Sequence, residues 1–358
     1  MTPPAYASDE NACEREISAQ GRRKRADLAS ATKGKGFRRA AGVALGIAAA
    51  LAATAVAVNL QSRRAERRHP PIGRFVTVNG VRLHYIEAGD GPPVVLFHGN
   101  GVSLDDMRIS IFDRLAERHR VIAFDRPGFG YSERPRQVVW DPEAQAALFR
   151  DAFRTLGIER PVILGHSWGG PLVVTFALLY PEEVRAVVAA SGYYYPNWRA
   201  DSPLAWLNYL PVIGTVMRNT LTPVQGALMG KPGFRALFAP NEVPDRVMED
   251  FPASLVLRPS QIRASSEDGA TLRDWAKRIS PHYGFIRVPV IIVAGADDPI
   301  VDAEGHSARL HADIPDSDLL MVPDTGHMVH HVHPEAVLHA IDRAFRSADR
   351  HSALGGVR

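Results

Sequence analysis

Cysteine is almost absent: the chain of 358 residues has one, Cys13. Beyond it there is no thiol nucleophile, no cysteine-based metal site and no intrachain disulfide. Such a chain tolerates an oxidising or a reducing compartment. Net charge is also scarce. Lys and Arg number 42 against 39 Asp and Glu, leaving +3. Residues 1–70 hold 13 basic and 6 acidic side chains, and the remaining 288 hold 29 and 33. The basic character therefore belongs to the N-terminal segment. The rest has no surplus of positive charge with which to hold nucleic acid. No Gly-rich phosphate loop or dinucleotide fingerprint is present. With 46% apolar and 23% charged residues, the composition excludes a disordered chain, a disulfide scaffold and a polytopic membrane protein.

What is there begins with a tail. Residues 1–39 are polar and basic, carrying Arg22-Arg23-Lys24-Arg25, Lys33, Lys35, Arg38 and Arg39, and this composition predicts disorder. Residues 40–58 then run without a charge, more than half of them alanine. As a helix this run is roughly 28 Å long, close to the hydrocarbon thickness of a bilayer. Three readings remain open: a membrane-spanning signal anchor over 40–60, a cleaved export signal, and a soluble Ala-rich helix. The anchor leads because the run lacks the one-sided period of a surface helix. Ala55-Val56-Ala57 has the small-x-small form of a cleavage site. Eight basic residues lie in 20–39 and five in 59–80, which favours a cytoplasmic tail and a main domain outside. Residues 61–73 read as a linker.

From residue 74 the pattern is that of a folded domain. Two alternating runs flank Asn79-Gly80, a two-residue hairpin signal. Short continuous apolar runs then alternate with helical stretches: Val94-Val95-Leu96-Phe97, Val121-Ile122-Ala123-Phe124, Val162-Ile163-Leu164 and Val187-Val188-Ala189-Ala190. Strands buried on both faces imply an α/β fold with a mostly parallel sheet and helices on both sides. The rhythm resumes at Val290-Ile291-Ile292-Val293 and Leu319-Leu320-Met321-Val322. Between them, residues 196–285 read as short helices broken by prolines, among them stretches at 204–209, 224–229, 233–238, 245–255 and 272–279. Such an insertion predicts a helical lid over a core of 74–195 and 286–348, with 349–358 as a C-terminal tail.

Gly165-His166-Ser167-Trp168-Gly169-Gly170 follows one strand directly and precedes a helical run. This is the context in which G-x-S-x-G lifts a serine off the sheet edge. The turn is tight enough to require glycine beside it, and the following helix aims amides at the site. A serine of ordinary pKa needs a base. His327, in Asp324-Thr325-Gly326-His327, follows the last strand. Asp298, in Gly295-Ala296-Asp297-Asp298-Pro299, follows the strand before it. The order Ser167, Asp298, His327 is nucleophile, acid, base. Asp298 is favoured over Asp297 by its position three beyond Gly295, with Asp297 a turn residue. His98-Gly99-Asn100-Gly101 follows a strand and places the Asn100 amide, with that of Trp168, as an oxyanion hole. His98 reads as a structural histidine of that loop.

These residues, with Asp125-Arg126-Pro127-Gly128-Phe129-Gly130-Tyr131-Ser132, resemble the α/β-hydrolase superfamily over about residues 74–348. In that resemblance Asp125-Arg126 is a structural corner. Asn100 and Trp168 are also similar to haloalkane dehalogenases, in which two such side chains hold the halide. Those enzymes, like epoxide hydrolases, use an aspartate nucleophile. An alkylated aspartate is an ester that water can cleave, whereas an alkylated serine is an inert ether. Ser167 therefore points to acyl substrates and Trp168 to an apolar wall.

The expectation is a cofactor-free serine hydrolase of a small or medium apolar carboxylic ester. Rivals on the same triad are amide, lactone or carbon–carbon bond hydrolysis and perhydrolysis; a ligand receptor on this fold is the non-enzymatic rival. His330, His331 and His333 are not expected to bind metal, since no carboxylate stands near them at ligand spacing. Tyr193, Tyr194, Tyr195, Trp198, Trp206, Tyr209 and Trp275 either line the pocket or pack lid on core. No nucleic-acid partner is expected, and the sequence carries no pattern that sets an oligomeric state.

Overall fold

The computed structural model describes residues 10–196 and 207–355. The chain divides into two compact units, Met1–Ala57 and Val58–Arg358. Helix α1, Glu10–Arg68, runs from the first into the second. Its stretch Arg39–Arg68 has a mean hydropathy of 2.2 over its most apolar window, of which 6% is buried. Among the described residues it is the one helix long and apolar enough to cross a membrane. Two expectations are corrected here. Helix replaces the disorder expected from Glu10 to residue 39, and it continues to Arg68 through most of the expected linker. No proline interrupts residues 5–69, and alanine, arginine and glutamate are strong helix formers. Residues 1–9 lie outside the described residues.

The second unit holds one eight-stranded sheet in the order β1-β2-β4-β3-β5-β6-β7-β8. Strands β1 (Arg74–Val78) and β2 (Val81–Ala88) form the expected hairpin. Asn79 at φ 50° and Gly80 at φ 78° make its turn, the backbone twist that two-residue hairpins favour. β2 also pairs antiparallel with β4, and the remaining pairs are parallel. The parallel strands are β3 (Pro93–Phe97), β4 (Arg120–Phe124), β5 (Val162–His166), β6 (Ala186–Ala190), β7 (Val290–Gly295) and β8 (Ser317–Val322). From β3 the chain goes first to β4 on one side, then to β5 on the other. The crevice at that reversal is where open α/β sheets bind ligands.

The period of two sorts side chains between the faces. Val95, Phe97 and Ile163 pack with Phe149 and Phe153 of α2 (Pro142–Leu156) and Leu172 and Phe176 of α3 (Gly169–Leu179). Val94, Leu96 and Leu164 face the other way, toward Leu115 and the C-terminal helix. Each large apolar side chain buried this way contributes about 1.5–3 kcal/mol.

Between β6 and β7 lies a helical insertion. Its longer members are α4 (Pro211–Asn219), α5 (Leu221–Phe238) and α6 (Pro259–Ile279). Two helices are longer than their prolines and glycines predict. α5 passes through Pro232, because the Leu228 carbonyl that a proline leaves unpaired sits on an exposed turn open to water. α6 is continuous through Gly269, held by a buried stripe of Ala264, Asp268, Leu272, Trp275 and Ile279. The sequence stretch at 204–206, with Trp198 and Trp206, falls outside the described residues. Helix α7, Pro334–Gly355, covers β6 and β7 and absorbs most of the expected C-terminal tail. Its Val337, Ile341, Ala344 and Ala348 keep the helical period to residue 348.

Candidate active site

Ser167 sits between β5 and α3 at φ 53°, a left-handed conformation that costs energy for any residue with a side chain. The backbone is held there by bonds on both sides: the Ser167 amide donates to Ala190 O (2.8 Å) and its carbonyl accepts from Gly170 N (3.0 Å). Glycine is required beside it. A Cβ at Gly165 would stand 2.0 Å from Gly169 O, and one at Gly169 would stand 2.7 Å from Phe97 O.

His327 follows β8 and Asp298 follows β7. The His327 Nδ1–H donates to Asp298 Oδ2 at 2.7 Å. Asp298 Oδ1 accepts from the Ile300 and Val301 amides at 2.8 and 2.9 Å. Both side chains are nearly solvent-free. With Nδ1 engaged, the Nε2 of His327 is left for a partner. Asp297 is exposed and spends its amide on Thr325 O. The carboxylate on His327 is thus that of Asp298.

Ser167, His327, Asn100 and Trp168 line one cavity of about 200 Å³, with Val102, Tyr193, Leu237, Leu272, Ile300 and Met328 supplying apolar wall. The Asn100 and Trp168 backbone amides have no protein acceptor among the described residues. Their side chains are occupied by the insertion: Asn100 Nδ2 donates to Ser265 O (3.1 Å) and Trp168 Nε1 to Asp268 O (3.2 Å), both on α6. Of the tyrosine triplet, Tyr193 lines the cavity, whereas the Tyr194 and Tyr195 side chains are buried in the core, as is Trp275.

His98 ties its loop. Its Nε2 accepts from the Arg126 amide (3.0 Å), so Nδ1 carries the proton and donates to Gly99 O (2.7 Å). Burial, with Arg126 close by, lowers its pKa to about 3 and keeps the ring neutral. Asp125 accepts from the Leu104 and Tyr131 amides and from His84 Nδ1. Arg126 lies fully buried against Asp268 at 2.6 Å, with its guanidinium over the Trp168 ring at 4.2 Å. These two residues form the corner that fixes both the Asn100 loop and α6.

Sequence reasoning missed Asp106. It borders the cavity from the helical turn after the Asn100 loop. Its Oδ2 accepts from His330 Nε2 at 3.0 Å and its Oδ1 from His331 Nε2 at 2.9 Å. Burial opposes its charge, yet the two imidazoles outweigh burial and hold the carboxylate well below its ordinary range. The carboxylate missing near His330 and His331 in sequence is therefore supplied from 224 residues away, at hydrogen-bond distances. His166 completes the group. Its ring lies tilted against those of His330 and His327, and its Nε2–H donates to His327 O at 3.0 Å. Burial, reinforced by the neighbouring imidazoles, drives its pKa well down, so it acts as a neutral strut under His327. No local pattern marks Asp106; Asp105-Asp106 reads as an ordinary helix start.

Known proteins share this fold. The family model for the α/β hydrolase fold matches residues 92–334. The chain is 30% identical over 288 residues to an uncharacterised protein of Mycobacterium tuberculosis, covering 76% of this chain and 81% of that one. It is 27% identical to haloalkane dehalogenase 2 of Mycobacterium tuberculosis, covering 77% of this chain and 96% of that one. A crystal structure of an α/β hydrolase fold protein from Burkholderia ambifaria superposes with a TM-score of 0.63 at 26% identity, over 75% of this chain and 96% of that one. The family match spans the Asn100 loop, the Ser167 elbow, the Asp298 turn and the His327 loop, and with it the chain belongs to the α/β-hydrolase fold family.

Proposed function

We propose that this hydrolase cleaves a small or medium apolar carboxylic ester through an acyl-enzyme on Ser167. The observation that carries the reading is a left-handed Ser167 sharing an apolar cavity with His327, whose Nδ1 is held by Asp298. Ser167 Oγ attacks the carbonyl while His327 Nε2 takes its proton. The tetrahedral oxyanion is held by the Asn100 and Trp168 amides. His327 passes the proton to the leaving alkoxide, water then attacks the acyl-enzyme by the same route, and Asp298 stabilises the imidazolium throughout. No cofactor enters these steps. Residues 196–285 act as the lid, supported by the α6 contacts to Asn100 and Trp168.

Similarity to a haloalkane dehalogenase does not carry dehalogenation to this chain, because a serine ether has no hydrolytic exit. Purified enzyme should hydrolyse p-nitrophenyl esters, with a chain-length optimum set by the cavity. It should release no halide from haloalkanes and open no epoxides. Multiple-turnover halide release would overturn the argument. Amide, lactone and carbon–carbon substrates belong in the same panel, and loss of ester turnover with retention of one of these would move the assignment there.

For localisation, we propose that residues 40–58 span a membrane once, with the catalytic unit outside the cytoplasm. The charge-free run and the more basic preceding flank support this. The full chain should stay in the membrane pellet after alkaline carbonate, and protease added to intact spheroplasts should digest residues beyond 70. A mature N-terminus just after Ala57 would instead mark an export signal, and digestion only after lysis would reverse the orientation.

A further inference from the structure

Helices α4 and α5, joined through Thr220, turn large apolar side chains to solvent. Val212, Ile213 and Val216 are exposed on α4, Val212 at 77%. On α5, Leu221, Val224 and Leu228 recur at spacings of three and four residues, which is one stripe of a helix, and Leu228 is 78% exposed. A surface that collects such side chains is one that something covers.

Charge says what. Across the whole chain 39 of 358 residues are Asp or Glu, yet the forty residues 202–241 contain none. Their only charges are Arg218, Lys231 and Arg235; Arg218 is buried and Arg235 is exposed. Apolar stripes with no acidic residue among them and Arg235 exposed beside them suit the headgroup region of an anionic bilayer. A second observation is the short tether between this unit and the charge-free run. Glu66 in the last turn of α1 pairs with Arg258, the residue preceding α6, at 3.1 Å. Glu66 lies eight residues beyond Val58, where the charge-free run ends, so the chain itself can reach no more than about 28 Å from that run to this pair. The opposite side of α5 serves the active site, since Leu237 lines the cavity.

We propose that α4 and α5 are a membrane-docking surface, lying in the headgroup region of an anionic bilayer and presenting the cavity to esters dissolved there. The substrate half of this statement rests on the ester-hydrolase reading; the docking half does not.

The test uses the full chain reconstituted in vesicles of phosphatidylcholine and phosphatidylglycerol. On a Cys13→Ser background, single cysteines at Val212→Cys, Leu228→Cys and Glu159→Cys carry an environment-sensitive fluorophore. Glu159 is exposed and precedes β5, at the amino edge of the sheet. Nitroxide-labelled lipid should quench the first two at least about twofold more than the third, the difference expected between headgroup depth and water. Equal quenching at all three sites overturns the proposal. So does shielding of 212 and 228 that persists in detergent without lipid, which would assign the face to a second copy or to another segment of the chain. In parallel, Val212→Asp with Leu228→Asp should lower turnover of a vesicle-dissolved long-chain ester about tenfold, which is about 1.4 kcal/mol. Turnover of soluble p-nitrophenyl acetate should not change. An equal fall on both substrates signals damaged folding, and the uncharged cysteine variants then decide. If neither ester is cleaved by the unsubstituted chain, the ester reading fails while the quenching still settles docking.

Discussion

Ser167→Ala should abolish covalent labelling by a fluorophosphonate and lower ester turnover by roughly 10³-fold or more, about 4 kcal/mol of transition-state stabilisation. The size follows from the position of the side chain. Ser167 stands on a left-handed turn that only close glycine contacts permit, and a fold accepts such a conformation at a cost of order 1–3 kcal/mol. Alanine keeps the backbone and the cavity, so binding and the amides of Asn100 and Trp168 survive while the acyl-enzyme cannot form. Residual turnover should therefore show no burst. Because alanine also relieves none of the backbone strain, thermal stability should stay nearly unchanged, which separates loss of chemistry from loss of fold. Labelling that persists on another serine would sink the assignment.

Asp298→Asn should lower turnover by roughly 10³–10⁴-fold, while Asp297→Asn should cost far less. Asparagine at 298 keeps an oxygen that can accept from the Ile300 and Val301 amides, so the turn after β7 holds. What changes is the group facing His327 Nδ1. An amide NH₂ there forces the ring to accept at Nδ1 and carry its proton on Nε2, the wrong tautomer for a base. It also removes the negative charge that steadies the imidazolium. Asp297 touches neither ring nitrogen. If 297 proved the costlier position, the acid turn would be in use differently from its geometry here.

Both variants test residues that are legible in sequence because each is announced by its own strand. A buried parallel strand is a short apolar run, and a serine, an aspartate or a histidine just past one must emerge at the carboxyl edge. Asn79-Gly80 is legible for a similarly local reason: two consecutive residues at positive φ are cheap only for such a pair. The N-terminal segment was misjudged for the opposite reason. Charge suggested disorder over 1–39, but charge does not oppose a helix when the residues that carry it are helix formers with no proline among them.

Asp106 could not be read this way. It gains meaning only from His330 and His331, which arrive from the far end of the chain. The same holds for Arg126 and Asp268, and for the α6 carbonyls that receive the Asn100 and Trp168 side chains. By itself, the sequence determined the α/β sheet, the elbow, the placing of Ser167, Asp298 and His327 just past successive strands, and a helix of membrane-spanning length, since each depends on periodicity or on neighbours within a few residues. Only the tertiary structure decided which carboxylate meets His327, which imidazoles share Asp106 and which face of the inserted helices is left bare. Those are contacts between segments distant in the chain, and their geometry is set by how helices and strands pack, which no local pattern encodes.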